Sequence, residues 1–224
     1  MVVMSQWLKQ SLVVTIALAG AAVQAQAGVY DSLTPDQQKK IQAGQQVVVM
    51  QDAQGSPWPK LWVYQRIEAT PEESAAVFAD FELAQTYIEN ITKSKISKVI
   101  SKNTFEVDYS LSVPLLSDEH YTVRDVVTSY DNGQSYHVEW NLVRATSTKA
   151  STGYAKFERL GNATLVAYYN FVVPGAFGAG LVKDRAMKQV RETVAATGKQ
   201  IEKERTANRG LLEKQLQALR AMVN

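Results

Sequence analysis

Apolar and polar residues alternate along most of the chain between Leu61 and Val173, and recur at spacings of three and four from Leu181 onward. The first pattern marks half-buried strands and the second an amphipathic helix. Thr104–Val113 is the sharpest case. Phe105, Val107, Tyr109, Leu111 and Val113 fall on one side, Glu106, Asp108, Ser110 and Ser112 on the other, so the first set is expected to face inward. Runs of the same kind cover Leu61–Glu68, Ser94–Ser101, His120–Ser129, Ser135–Val143, Thr148–Leu160 and Thr164–Val173, with a shorter β-type run at Gln46–Met50. Asp131-Asn132-Gly133 and Gly161-Asn162 separate consecutive runs and carry hairpin chemistry, which predicts a meandering antiparallel sheet.

The helices announce themselves at their starts. Thr34-Pro35-Asp36 and Thr70-Pro71-Glu72-Glu73 each set a capping hydroxyl before a proline at the first helical position. The first helix is expected to run to about Ala43. In the second, Ala75, Val77, Phe78 and Phe81 fill one face, and a further short helix is expected over roughly Leu83–Asn90. The long helix, Leu181 to about Arg209, carries a stripe of Val182, Ala186, Val190, Val194, Thr197 and Ile201, interrupted by Gly198. Asn208-Arg209-Gly210 reads as a stop. Leu212, Leu216, Leu219 and Val223 then form a seam too short to be a stable coil alone. This tail, 205–224, is left to dock on its own domain, pair with a second copy or rest on a membrane surface.

The first residues follow neither period. Lys9 precedes an apolar run from Leu12 to Val23, and Ala25-Gln26-Ala27 supplies small residues for signal peptidase, with Val23-Gln24-Ala25 as a second site. Residues 1–27 therefore read as a secretory signal peptide, and the expected destination is the periplasm. Cleavage after Ala27 leaves 197 of the 224 residues, enough for one domain with a substantial core. The whole chain has 24 basic and 22 acidic residues, a formal charge of +2 that falls to +1 without Lys9. That balance argues against a nucleic-acid partner. The oligomeric state is not indicated.

Catalytic motifs are missing. The chain has no Cys, which removes thiol nucleophiles and Cys-ligated metals. His120 and His137 have metal-ligand spacing neither with each other nor with a carboxylate pair. No catalytic residue, metal or cofactor is expected from the sequence. Asp118-Glu119-His120 is the densest polar cluster, at a turn where solvated charge is ordinary.

Three segments together resemble a known superfamily. IEATPEESAAVFADFELAQTYIENI (67–91) is similar to the strand–helix–helix opening of START-like, or SRPBCC (Bet v 1-like), proteins. VPLLSDEHYTVRD (113–125) resembles the segment in which a proline-containing loop leads into a strand bearing an arginine. GYAKFERLGNATLVAYYNFVVPGAFGAGLVKDRAMKQV (153–190) is similar to the last hairpin, Gly-rich loop and closing helix. The resemblance covers about residues 61–204, with 28–60 as an N-terminal extension. It implies an α+β helix-grip fold: a curved antiparallel sheet wrapped around a long C-terminal helix, with two short helices after the first strand and a cavity between sheet and helix.

The implied function is to hold a hydrophobic small molecule or lipid in that cavity. The walls are expected to include Phe105, Val107, Tyr109 and Leu111, then Trp140 (as readily plain core), Asn170, and Met187, Val190 and Val194 of the closing helix. Leu115, Leu116 and Phe177 are expected to gate it, with transient membrane contact there. The strand from His120 is ambiguous. Hydrophobicity turns Tyr121, Val123, Asp125 and Val127 inward, whereas the resemblance turns Arg124 inward, near Tyr109, to fix a ligand's polar end. The alternatives are a cyclase- or dehydratase-type enzyme polarising a carbonyl with Arg124, Tyr109 and Asn170, and an interaction protein acting through its tail.

Overall fold

The computed structural model describes residues 28–112, 118–175 and 178–224. The expected signal peptide, Val113, Leu115, Leu116 and Phe177 lie outside the described residues. Eight strands form one curved, unclosed antiparallel sheet: β1 (Val47–Gln51), β2 (Lys60–Ile67), β3 (Ile91–Ser101), β4 (Thr104–Leu111), β5 (Glu119–Tyr130), β6 (Ser135–Ala145), β7 (Ala150–Leu160) and β8 (Ala163–Val173). Their order is β1-β2-β8-β7-β6-β5-β4-β3. The expected meander therefore runs unbroken from β3 to β8, and β2 closes onto β8 with Val63 opposite Tyr168. The edge strand β3 has three register irregularities and carries Lys93, Lys95 and Lys98, devices that discourage a further strand from pairing.

The helices are α1 (Pro35–Gln42), α2 (Pro71–Phe78), α3 (Lys183–Ala207) and α4 (Arg209–Val223). Both proline-led starts are complete capping boxes: Thr34 with Gln37 and Thr70 with Glu73 exchange side-chain and backbone hydrogen bonds. The helix expected over Leu83–Asn90 is instead a 3-10 turn at Phe81–Thr86. With β3 beginning at Ile91, too few residues remain there for an α-helical turn to propagate. The long helix is preceded by a 3-10 turn at Ala179–Val182.

The concave face of the sheet is filled unevenly. Its far end holds the main core, where Phe105, Val107, Val127, Val138 and Phe157 meet Ala75 and Val77 of α2, Ile201 of α3, and Leu212, Leu216 and Leu219 of α4. The tail thus docks on its own domain. Arg220 makes two bonds to the Glu72 carboxylate, at 2.7 and 2.9 Å, and the Gln215 amide donates to Asp80 at 3.0 Å, which hold α4 against α2. On the convex face a separate small core of Leu33, Ile41, Val47 and Leu165 seats α1 over β1, β2 and β8. The interruption at Gly198 is steric. A Cβ there would come within 2.5 Å of the Gln65 amide nitrogen, so the absent side chain lets α3 lie close on β2.

Candidate ligand-binding cavity

Because α2 and α4 pack mainly on the far end of the concavity, the near end is covered by the first half of α3, with Phe78, the 3-10 turn from Phe81 and Trp58 at its sides. The stripe of α3 divides accordingly. Ala186 and Val190 line open space, whereas Val194 packs with Leu61 and Val63 and Ile201 enters the main core. A cavity of about 610 Å³ remains between α3 and the sheet. Its exposed lining residues, Asp118, Thr146, Ser147 and Arg185, mark the end that meets solvent. Leu61, Phe81, Val123, Asp125 and Trp140 line it where the fold is buried.

The walls are aromatic. Trp140 of β6 lies 5.2 Å from Tyr168 of β8 and 6.5 Å from Phe78 of α2, measured between ring centroids. Tyr109 of β4 and Tyr121 of β5, opposite one another in register, stack at 5.3 Å. Trp140 has its place because its partner on β7 is Gly153. A Cβ on Gly153 would sit 2.3 Å from the indole ring and 2.4 Å from the Tyr169 carbonyl oxygen. Trp58 closes the wall from the β1–β2 loop, its indole N–H donating to the Ala179 carbonyl at 2.8 Å.

The Gly-rich connection after β8 answers a backbone contact. A Cβ on Gly175 would meet the Ser147 carbonyl oxygen at 2.0 Å, so the chain at Gly175 passes directly against the β6–β7 turn. That turn is itself tied down by Glu119, whose carboxylate accepts from the backbone N–H groups of Ser147 and Thr148 at 3.0 Å and from the Ser147 hydroxyl. Burial acts to raise the Glu119 carboxyl, but these donors outweigh it and hold it below the usual carboxylate range. Glu119 is a structural anchor at the rim.

Of the expected wall residues, Tyr109, Leu111, Trp140, Asn170, Met187 and Val190 line the cavity. Phe105, Val107 and Val194 face the same side but are buried in the cores beyond it. Arg124 corrects the expectation drawn from resemblance. It points to the convex face, half exposed, and donates to Glu106 at 2.8 Å across the β4–β5 register. Tyr121, Val123 and Asp125 share the concave phase of β5, and period 2 leaves Arg124 only the other side. It therefore cannot polarise a carbonyl inside the cavity.

Asp125 is inside instead. It is 3% exposed, lines the cavity, and its Oδ2 has no hydrogen-bond partner among the described residues. Burial pushes its carboxyl up to about 8. Its charge also acts on the buried hydroxyls of Tyr109, Tyr121 and Tyr168, all of which burial raises well above the ordinary tyrosine value. Tyr87, which follows the 3-10 turn, is raised by burial to about 12 and lines the same space. Among the described residues no cluster of three His, Asp or Glu side chains gathers as a metal site would need.

Trp58, Phe78, Tyr87 and Tyr168 are not among the expected wall residues, whereas Tyr121 and Asp125 line the cavity in the facing that hydrophobicity alone gives β5. Tyr168 was findable, since it stands two residues before Asn170 on one strand. Trp58 was not, because it sits in a loop with no periodicity.

No protein-family model matches the chain, and no curated protein matches it significantly. Solved structures do. A STAR-related lipid transfer protein from Xanthomonas axonopodis superimposes with a TM-score of 0.63 at 15% identity, over 70% of this chain and 93% of that one. Human StAR-related lipid transfer protein 5 gives 0.61 at 15% identity, over 70% and 82%. The Zhui aromatase/cyclase from Streptomyces sp. R1128 gives 0.51 at 15% identity, over 73% and 98%. The chain has the helix-grip α+β fold of the START-related proteins.

Proposed function

We propose that this protein binds a hydrophobic small molecule or lipid in the cavity between sheet and α3, and carries it through the periplasm without chemistry. The observation that carries this reading is the cavity of about 610 Å³, walled largely by aliphatic and aromatic side chains beside an otherwise filled core. Its size falls within the range of roughly 300–1,000 Å³ usual for small-molecule sites. Two neighbours in fold are described as lipid transfer proteins, which supports the same class of ligand. The leader-like residues 1–27 support export, and Leu181, 92% exposed just before α3, supports transient membrane contact at the open end.

Native mass spectrometry of protein purified from its own compartment tests the reading. A bound apolar species, recoverable by solvent extraction, is expected at one per chain, on a chain beginning at Gly28. A spectrum of unliganded protein alone, with nothing extractable, would overturn the carrier assignment; a retained leader would overturn the location only. A cyclase- or dehydratase-type enzyme in the same cavity is the second reading, favoured by the aromatase/cyclase neighbour and by Tyr109 and Asn170 in the lining. It must do without Arg124.

A further inference from the structure

Asp125 is an anomaly within the cavity already described. A buried carboxylate ordinarily has donors or a countercharge, because desolvating it alone is costly. Here Oδ2 has neither among the described residues, although the side chain is almost wholly removed from solvent. The strands around it offer only rings and weak acids: Trp140 opposite it on β6, Tyr109 on β4, Tyr121 on β5, Tyr168 on β8 and Tyr87 beyond the 3-10 turn. Toward solvent the titratable lining groups are Asp118, Glu119 and, from α3, Arg185. The described lining thus holds three carboxyl groups against one base, and that base is exposed at the mouth.

Electron-rich ring faces around an unpaired carboxyl are complementary to positive charge. Resting on the ligand-binding reading above, we infer that the cavity selects hydrophobic cations, an amine or quaternary ammonium group seated against Asp125 with its apolar chain running toward the mouth. Asp125 lies six residues along β5 from Glu119 at the rim, about 20 Å at the usual strand rise. A chain of a dozen carbons fits that depth. The empty protein keeps the acid protonated, and an arriving cation takes the proton's place. Affinity for a cation then depends on pH, because the acid must ionise to receive it.

The test uses three probes of equal chain length, dodecyltrimethylammonium, dodecanol and dodecanoate, titrated below micelle-forming concentrations and followed by intrinsic fluorescence and calorimetry. The cation is expected to bind tightest. Its affinity should rise about tenfold per pH unit toward pH 8 and level off above it, where the carboxyl is already ionised, while dodecanol shows no such rise. Asp125→Asn should cut the ratio of cation to alcohol affinity at least tenfold. Should that variant fail to fold, the pH profile of the unaltered protein decides alone. Binding of dodecanol or dodecanoate more tightly than the cation, or a flat pH profile for the cation, would overturn the inference and leave the carrier reading standing. Failure of all three probes to bind would overturn both.

Discussion

Arg124 and Asp125 are consecutive residues of β5 whose side chains leave the sheet on opposite sides. On the convex side charge is distributed in matched neighbours. Arg124 faces Glu106 across the strand pair, and Asp108 accepts from Thr122 and, at 3.0 Å, from Arg144. The hydrogen bond from Arg124 holds the Glu106 carboxyl below its ordinary range, and water reaches the ladder through the exposed Arg124 and Arg144 ends rather than through Glu106, which is nearly buried. On the concave side one acid stands among rings, and burial moves its titration the other way, to about 8. The difference lies in the medium. A carboxyl on the convex face has charged partners within hydrogen-bond reach, whereas the same group on the concave face has none among the described residues and burial favours its neutral form.

The largest effect expected from disturbing this contrast is on the packed side. Phe105→Ala removes a ring buried beside Phe81, at 5.9 Å between centroids, and should cost about 3–5 kcal/mol in denaturant unfolding. Next comes pH. The folded state holds a proton on Asp125 that the unfolded chain releases near its ordinary value, so stability falls as pH rises from about 4 to about 8 and is level above. Each unit in that window is worth at most about 1.4 kcal/mol. Comparing melting curves of the unaltered protein and Asp125→Asn across it isolates this contribution, since all other groups titrate in both. Parallel curves would show the acid to be ionised or solvated.

A third effect reaches the cavity wall through the backbone. Gly153→Ala forces the Trp140 ring or the β7–β8 pairing to move, for about 1–3 kcal/mol and a changed Trp140 emission. The smallest effect is expected at Arg124. Arg124→Met breaks one pair on the convex face whose arginine is half exposed, so it should shift the melting temperature less than any of these and leave apolar binding intact. Loss of ligand binding in that variant would contradict the facing assigned to β5.

Most of the fold was legible because its rules are local. The capping boxes at Thr34 and Thr70, the turns at Asp131–Gly133 and Gly161, and the clean alternation of β4 each specify geometry within a few residues. The site was legible only in part. Alternation says which side of the sheet a residue takes but not how far along the concavity it lies, so Phe105, Val107 and Val194 were grouped with the walls although α2, α4 and β2 bury them. The β5 strand misled for a related reason. Hydrophobicity places Tyr121, Val123, Asp125 and Val127 inward, where the structure has them, whereas resemblance draws Arg124 inward. An acid in phase with Tyr121, Val123 and Val127 breaks the pattern, and that break was the signal of the site.

The central claim is that a greasy molecule lies against Trp140 inside the sheet. With Trp7, Trp58 and Trp62 replaced by phenylalanine, Trp140 is the only tryptophan left in the chain. Titrating that protein with alkyl chains brominated either beside the head group or near the tip reads contact with the indole directly, because bromine quenches only at close range. Saturable quenching at one ligand per chain, reversed by the unbrominated analogue, is the predicted result. Emission that does not change, or falls without saturating, would contradict it.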